Sequence, residues 1–409
     1  MQYPPLRILY HHRIAASDGM RVHIEEIVNA LRARGHIVEI VGPGDQVSAG
    51  GGSSHLEAFT GVLRRILPAA AYEVLELLYN IPAWLRLSRA AASFRPDVIY
   101  ERNNLFLLAG LYFKKRYPLP MILEINAPLA SERAKFGNLR LKRIARMCET
   151  ALWRNSDIVL PVTEVLARDV RNVRGHDVGV HVMPNGARLD VSPTVEQMNA
   201  VRARFGITQD KLVLGFVGFV RAWHGLDWAI EALSQLPSNV HLLVVGDGPA
   251  RADLEALAAR IGVAEQVHFS GNVPHHDIPA YMQLFDVALQ TASVAYASPL
   301  KLFEYMGLGR AIIAPDQPNL REILTDDVNA LLFTPGEREP FMDALVRLCQ
   351  DEHLRHRLGV EARNTVKDVP LTWEHNAARI ENLARHLIDI TASIRSAAAM
   401  PTSNGVLEL

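Results

Sequence analysis

The chain contains only two cysteines, Cys148 and Cys349, which form neither a metal-ligand pattern nor a disulfide framework. A reducing, cytoplasmic setting is therefore expected. No uninterrupted apolar run reaches the roughly 18–20 residues that a bilayer-spanning helix needs, which excludes an integral membrane protein of that kind. Met1–Arg7 leads straight into the apolar Ile8-Leu9-Tyr10, so no signal peptide is expected. Neither sign of charge is in excess. The formal net charge of -1 gives no global attraction to nucleic acid or to anionic lipid. The loop after the first strand lacks Gly-x-Gly-x-x-Gly, which argues against a dinucleotide-dependent dehydrogenase. There is no Gly-x-Ser-x-Gly elbow for a hydrolase nucleophile. No Asp-x-Asp pair stands where it could hold a metal on a diphosphate. Asp326-Asp327 reads as a surface turn, so no metal and no bound cofactor are expected.

What is present is alternation. Leu6–Tyr10 reads as a strand, about Val22 to Arg34 as a helix and His36–Val41 as a second strand, a βαβ unit that implies a parallel sheet. Gly50–Ser54 reads as a flexible loop, and Leu56–Ala92 as mostly helical with breaks near Pro68 and Pro82. Strands follow at Pro96–Tyr100, Met121–Ile125, Asp157–Pro161 and Val180–Pro184, with a basic helix at Leu139–Asn155. The pattern breaks at Asn185-Gly186-Ala187 and Asp190–Pro193, where a domain boundary is placed. A second αβ series opens at Leu212–Val217 and continues to helices at Pro340–Gln350, Glu352–Val366 and Thr372–Thr391. From Ala392 the chain is small and polar and is expected to fray. Two parallel-sheet domains in tandem place a ligand between their strand C-terminal ends.

The most telling segment is Ala297–Met306. Ser298 reads as an N-cap and Pro299 as the first helical residue. Leu300, Phe303 and Met306 share an apolar face. Free N–H groups at the start of such a helix attract phosphate, and Lys301 adds a mobile cation. Glu304, about one and a half turns further on, suits a sugar diol. Four strand-end loops accompany it. Gly19, before a helix, lets a diphosphate approach the backbone, with His12 and Arg13 beside it on the acceptor side. Gly218 is followed by Arg221, a natural phosphate ligand. Gly246 and the pair Gly271-Asn272 end strands where a nucleobase would fit. Glu124 lies in an apolar strand, which is costly unless paired, and Asn126 sits at that strand's end. Amides at the helix tip, with Arg221 and Lys301, can neutralise a leaving diphosphate without metal.

In order and spacing these pieces resemble a family 4 glycosyltransferase of the GT-B fold, across nearly the whole chain. The resemblance implies an α/β protein of two Rossmann-like domains facing a central cleft. Residues 1–188 would bind the acceptor and 189–370 the nucleotide sugar. Residues 371–391 would form a helix crossing back to the first domain, and 392–409 a flexible tail. It implies retaining transfer in which the leaving phosphate takes the acceptor proton. Three positions depart from the family pattern. Tyr296 stands where a donor-binding glutamate is usual. His224 replaces the lysine partner of Arg221, as a weaker, pH-dependent phosphate ligand. Asn126 replaces an acceptor-site histidine and cannot act as a base.

The expected catalytic set is therefore Asn126, Arg221, Lys301 and Glu304. The donor is expected to meet Gly19, Gly218, Arg221, His224, Gly246, Gly271, Asn272, Tyr296, Ser298, Pro299, Leu300, Lys301 and Glu304. His12, Arg13, Glu124 and Asn126 would face the acceptor. The expected partners are a nucleotide-diphosphate sugar of UDP or GDP type and a glycan or lipid-linked saccharide, with no nucleic acid. The basic stretch Lys135–Arg146, which carries Leu139, Leu141 and Ile144, suits peripheral contact with an anionic membrane. A nucleotide-sugar 2-epimerase and a non-catalytic nucleotide-sugar-binding protein are the alternatives.

Overall fold

A computed structural model describes residues 3–14, 19–43 and 67–399. The first half runs β1 (Arg7–His11), α1 (Gly19–Ala33), β2 (Ile37–Val41), α2 (Ala69–Leu78), α3 (Asn80–Phe94), β3 (Val98–Arg102), α4 (Ala109–Arg116), β4 (Met121–Ile125), α5 (Leu129–Phe136), α6 (Lys142–Asn155), β5 (Ile158–Pro161) and α7 (Glu164–Arg174). The second runs α8 (Val195–Phe205), β6 (Leu212–Val217), α9 (Leu226–Leu233), β7 (Val240–Val245), α10 (Arg251–Arg260), β8 (Val267–Phe269), α11 (Ile278–Met282), β9 (Val287–Leu289), α12 (Leu300–Gly307), β10 (Ala311–Pro315), β11 (Leu331–Phe333), α13 (Arg338–Gln350), α14 (Glu352–Asp368) and α15 (Trp373–Ala399).

The strands form two parallel sheets, ordered β2-β1-β3-β4-β5 and β11-β10-β9-β6-β7-β8. Every residue of β3, β4, β7 and β10 is buried, as expected of parallel strands covered on both faces. Each order reverses at one point: between β1 and β3 in the first sheet, and between β6 and β9 in the second. Loops leaving the strand C-termini diverge there and open a crevice. The chain's last helix returns to the first sheet. Trp373, Ala377, Ile380 and Ala384 pack with Ile8, Tyr10, Ile24, Ile27 and Leu31. Glu381 binds Arg34 and Arg385. Among the described residues no helix is long and apolar enough to cross a membrane.

Several elements depart from the sequence reading. The helical break falls at Tyr79, not at Pro82, which lies in the first turn of α3. Its missing N–H is one that the helix would leave unbonded anyway. The basic helix starts at Lys142, because the Glu73 carboxylate accepts the N–H groups of Arg140 and Leu141 just before it. Val180–Pro184 forms no full strand: it meets β5 through a bridge at Val180 and backbone hydrogen bonds from His181 and Met183. Helix α8 was not anticipated, although Thr194 and Gln197 form a reciprocal capping box at its start. Residues 392–399, read as part of a flexible tail, continue α15. Gly50–Ser54, the helical reading of 56–66 and the tail from 400 lie outside the described residues.

Candidate active site

At the switch point of the second sheet, β6 runs into Gly218 and β7 into Gly246. Their φ angles of 139° and 130° are open only to glycine. A Cβ on Gly246 would run into the Gly218 carbonyl. Gly246 also bridges Gly271, and its N–H is held by Ser270 Oγ at 3.1 Å. The strand ends thus converge through bare backbone and leave a cavity of about 400 Å³ above them.

One wall of that cavity is the start of α12. Ser298 does not cap it. Asn185 claims that residue instead, donating its N–H to Ser298 Oγ (3.2 Å) and its Nδ2 to the Ser298 carbonyl (2.6 Å). Pro299 takes the N-cap position with no side-chain cap. Among the described residues nothing accepts the Leu300 and Lys301 N–H groups, so the helix presents them bare. Lys301 is not the mobile cation expected. It is half-buried, with Nζ 3.7 Å from the centre of the Phe216 ring. Burial, only partly offset by Glu304, pulls its amine down to about 7. Glu304 is half-buried and stands 3.8 Å from His275 Nε2, and its carboxylate raises that histidine above the ordinary range.

Gly218, Gly246, Asn272, Pro299, Leu300, Lys301 and Glu304 all line the cavity, and Val22 reaches it from the first domain. An adjoining cavity of about 340 Å³ shares Val22, His275, Leu300 and Glu304 and extends to Glu26, Arg188 and Trp373. Burial raises the Glu26 carboxyl, and Arg188 at 3.8 Å opposes that. Glu26, Arg188 and His275 were missed by sequence reasoning. They come from three distant segments, and no local spacing marks them.

Other expected residues stand elsewhere. Arg221 is exposed and lies over the Phe219 ring at 5.0 Å, outside the cavity wall. His224 is buried. Its Nδ1 accepts the Arg221 N–H at 3.2 Å, and its carbonyl accepts the Thr291 hydroxyl. Burial, reinforced by Lys301 and Arg221, pushes it down to about 3. It is therefore neutral near pH 7, shapes the loop and stands outside the cavity wall, unlike the pH-dependent phosphate ligand expected at this position. Tyr296 turns away from the cavity. Its hydroxyl donates to Glu132 Oε2 of α5 at 2.8 Å, and its carbonyl accepts from Thr163 at 3.0 Å.

On the first domain, Gly19 is the first residue of α1. His12 is buried with Nδ1 turned to the Ile14 N–H. Arg13 is committed to Glu76 at 3.0 Å, and Glu76 also holds Arg133. Glu124 is buried and accepts hydrogen bonds from Arg102 (2.5 Å), Tyr100 (2.8 Å) and Asn126 Nδ2 (2.5 Å). It is thus a member of a satisfied network and not itself an acceptor-facing group. Asn126 is half-buried at the C-terminal end of β4. The two domains also meet at Glu322, whose carboxylate accepts the Glu164 N–H at 2.8 and 2.9 Å and so caps α7 from the other domain. Among the described residues no group of three or more His, Cys, Asp or Glu is arranged to hold a metal ion.

Comparison with known proteins finds two families in succession: the Glycosyl transferase 4-like domain over residues 18–186 and Glycosyl transferases group 1 over residues 197–365. The chain is 26% identical over 382 residues to a D-inositol 3-phosphate glycosyltransferase of Xylanimonas cellulosilytica, covering 88% of this chain and 90% of that one. It is 30% identical over 179 residues to a 2-deoxystreptamine glucosyltransferase of Streptomyces kanamyceticus, covering 42% and 46%. In fold it resembles HepE of Anabaena, solved in complex with UDP and glucose, with a TM-score of 0.72 at 18% identity over 93% of this chain and 100% of that one. A sucrose-phosphate synthase from Thermosynechococcus elongatus gives a TM-score of 0.73 at 19% identity, covering 94% and 99%.

Proposed function

This chain belongs to the family 4-type glycosyltransferases built on the two-lobed GT-B fold, and from that membership we propose what it transfers and how. It moves a sugar from a UDP- or GDP-type nucleotide sugar to a glycan or lipid-linked acceptor, with retention and without a bound metal or cofactor. One observation carries the reading: bare helix-start N–H groups, Lys301 and Glu304 line a single wall of the cavity over the second sheet's switch point. The amides and Lys301 hold the diphosphate. Its negative charge restores the proton that burial makes Lys301 reluctant to keep. Glu304 accepts two ribose hydroxyls, and Gly246 and Asn272 border the base. Arg221, exposed at the rim, turns in on the leaving phosphate. The acceptor reaches the sugar from the β4 end, near Asn126. No protein base is needed where the departing phosphate oxygen takes the acceptor's proton.

The relative that acts on an inositol phosphate and the relative that acts on 2-deoxystreptamine support a polyol acceptor without choosing one. Lys135, Phe136, Arg140, Lys142, Arg143, Ile144, Arg146 and Met147 are all exposed. They give the first domain a basic, apolar face suited to the cytoplasmic surface of an anionic membrane. Retention of the protein on phosphatidylglycerol vesicles, lost with Phe136→Glu, tests that contact. The main experiment is titration calorimetry with UDP-glucose and GDP-mannose in EDTA, followed by NMR of the transferred sugar's anomeric proton. Binding of neither nucleotide sugar, or an inverted product, overturns the proposal.

A further inference from the structure

A buried carboxylate beneath Asn126 gives that residue a direction. Glu124 is 1% exposed and lies at the centre of a closed polar cluster. Arg102 and Asn126 Nδ2 both donate to its Oε1, Tyr100 donates to Oε2, and His23 Nδ1 stands 3.5 Å away. Tyr10 stacks on Tyr100 with ring centres 5.1 Å apart. An ionised carboxylate offers only acceptor sites, so the atom of Asn126 that faces it must be the amide nitrogen. That settles an assignment which the shape of an asparagine alone leaves open. The carbonyl Oδ1 is consequently turned away from Glu124, and no described protein group donates to it. Asn126 itself is half-buried at the strand end.

We propose that Glu124 is a positioning residue for the transfer: it locks the Asn126 amide so that position 126 offers substrate its carbonyl oxygen as a hydrogen-bond acceptor. The proposal rests on the reading that the β4 end faces the reacting sugars. An outward Oδ1 accepts a hydrogen bond from a sugar hydroxyl or an ammonium group and gives nothing to a phosphate or carboxylate. It cannot take a proton from the hydroxyl it binds, which suits a reaction whose proton leaves with the phosphate. The hydroxyl belongs either to the donor sugar or to the acceptor, and the two sources are separable by experiment.

The groups around Glu124 make a clean pH test available. Arg102 is permanently charged. Burial drives His23 down to about 4 and drives Tyr10 and Tyr100 well above their usual range. None of these changes charge between about pH 5 and pH 8. Asn126→Asp places a second carboxyl against Glu124, and only its protonated form can donate as the amide does.

The test is hydrolysis of UDP-glucose or GDP-mannose, whichever wild type turns over, in Asn126→Ala, Glu124→Gln, the double variant and Asn126→Asp. UDP and GDP affinity and melting temperature serve as folding controls. Asn126→Ala should lose about tenfold in turnover with nucleotide affinity kept, and Glu124→Gln, whose Oε1 can still accept from Asn126 Nδ2, should lose less. The double variant should be no slower than Asn126→Ala, because Glu124 acts only through residue 126. Turnover of Asn126→Asp should climb toward wild type as pH falls from about 8 to about 5. A raised KM for nucleotide sugar places the hydroxyl on the donor. An unchanged one, with donor consumption no longer raised by an added polyol acceptor, places it on the acceptor. Losses that multiply in the double variant, or a flat profile for Asn126→Asp, overturn the positioning role while leaving glycosyl transfer intact. Wild type that binds neither nucleotide sugar overturns the transfer reading, and this proposal with it.

Discussion

Lys301 offers the sharpest quantitative test, because its amine titrates in the accessible range. Free enzyme holds it at about 7 through burial, so at pH 7 about half of the molecules carry the ammonium. A diphosphate favours the charged form and raises the bound-state value. Binding therefore takes up about half a proton at pH 7 and nearly a whole one about two pH units higher. The sign follows directly. Affinity is full below pH 7 and falls tenfold for each unit of pH above it, until the bound-state value is reached. A nucleotide sugar is the right ligand, since its diphosphate has no ionisation near neutrality to confuse the count. Calorimetry in buffers of different ionisation heat reads the proton directly. Lys301→Met keeps the bulk beside Phe216 and removes the charge. It should weaken binding about ten- to hundredfold at pH 6, which corresponds to a charged hydrogen bond of about 1.5–3 kcal/mol. It should also abolish the proton uptake. Uptake that persists in Lys301→Met, or an affinity independent of pH in wild type, would refute the placement of phosphate beside this amine.

Other expectations follow from the same geometry. Gly246→Ala forces a side chain into a φ of 130° and against the Gly218 carbonyl. It should lower stability by about 2 kcal/mol or more in a denaturant titration and weaken nucleotide binding together with it. Between pH 5 and 7, His224→Gln should leave the pH profile of nucleotide-sugar binding unchanged, because His224 is already neutral there. An inflection near pH 6.5 that vanishes in the variant would place a charged His224 on the phosphate. Glu322→Ala removes the acceptor of the Glu164 N–H at the start of α7, leaving Thr163 as the N-cap, and cuts a link between the domains. A cost of about 1 kcal/mol is expected, with a larger radius of gyration in small-angle scattering of the ligand-free protein.

Much of this architecture is legible in the sequence because parallel strands buried on both faces read as continuous apolar runs. Met121–Ile125 and Leu212–Val217 are clear for that reason. What was misread was set by distant partners. Ser298 has every local mark of a cap, and Asn185, 113 residues away, decides otherwise. Tyr296 was aligned with a donor ligand, but Glu132 on the other domain fixes its hydroxyl. Nothing around Lys301 in the chain announces that Phe216 lies beneath it. Two errors were local. The Thr194–Gln197 capping box was there to be read, and the alanines near residue 398, taken for a tail, are strong helix formers.

The return of the last helix has a consequence for biogenesis. The apolar face of α1 is covered by Ala377, Ile380 and Ala384, residues that leave the ribosome after both sheets. The first lobe therefore cannot finish folding while it is being made. It must wait with an uncovered flank until the second lobe and α15 have been made. Severing the link between the lobes would then yield no autonomous N-terminal half, only a fragment that needs α15 as a lid.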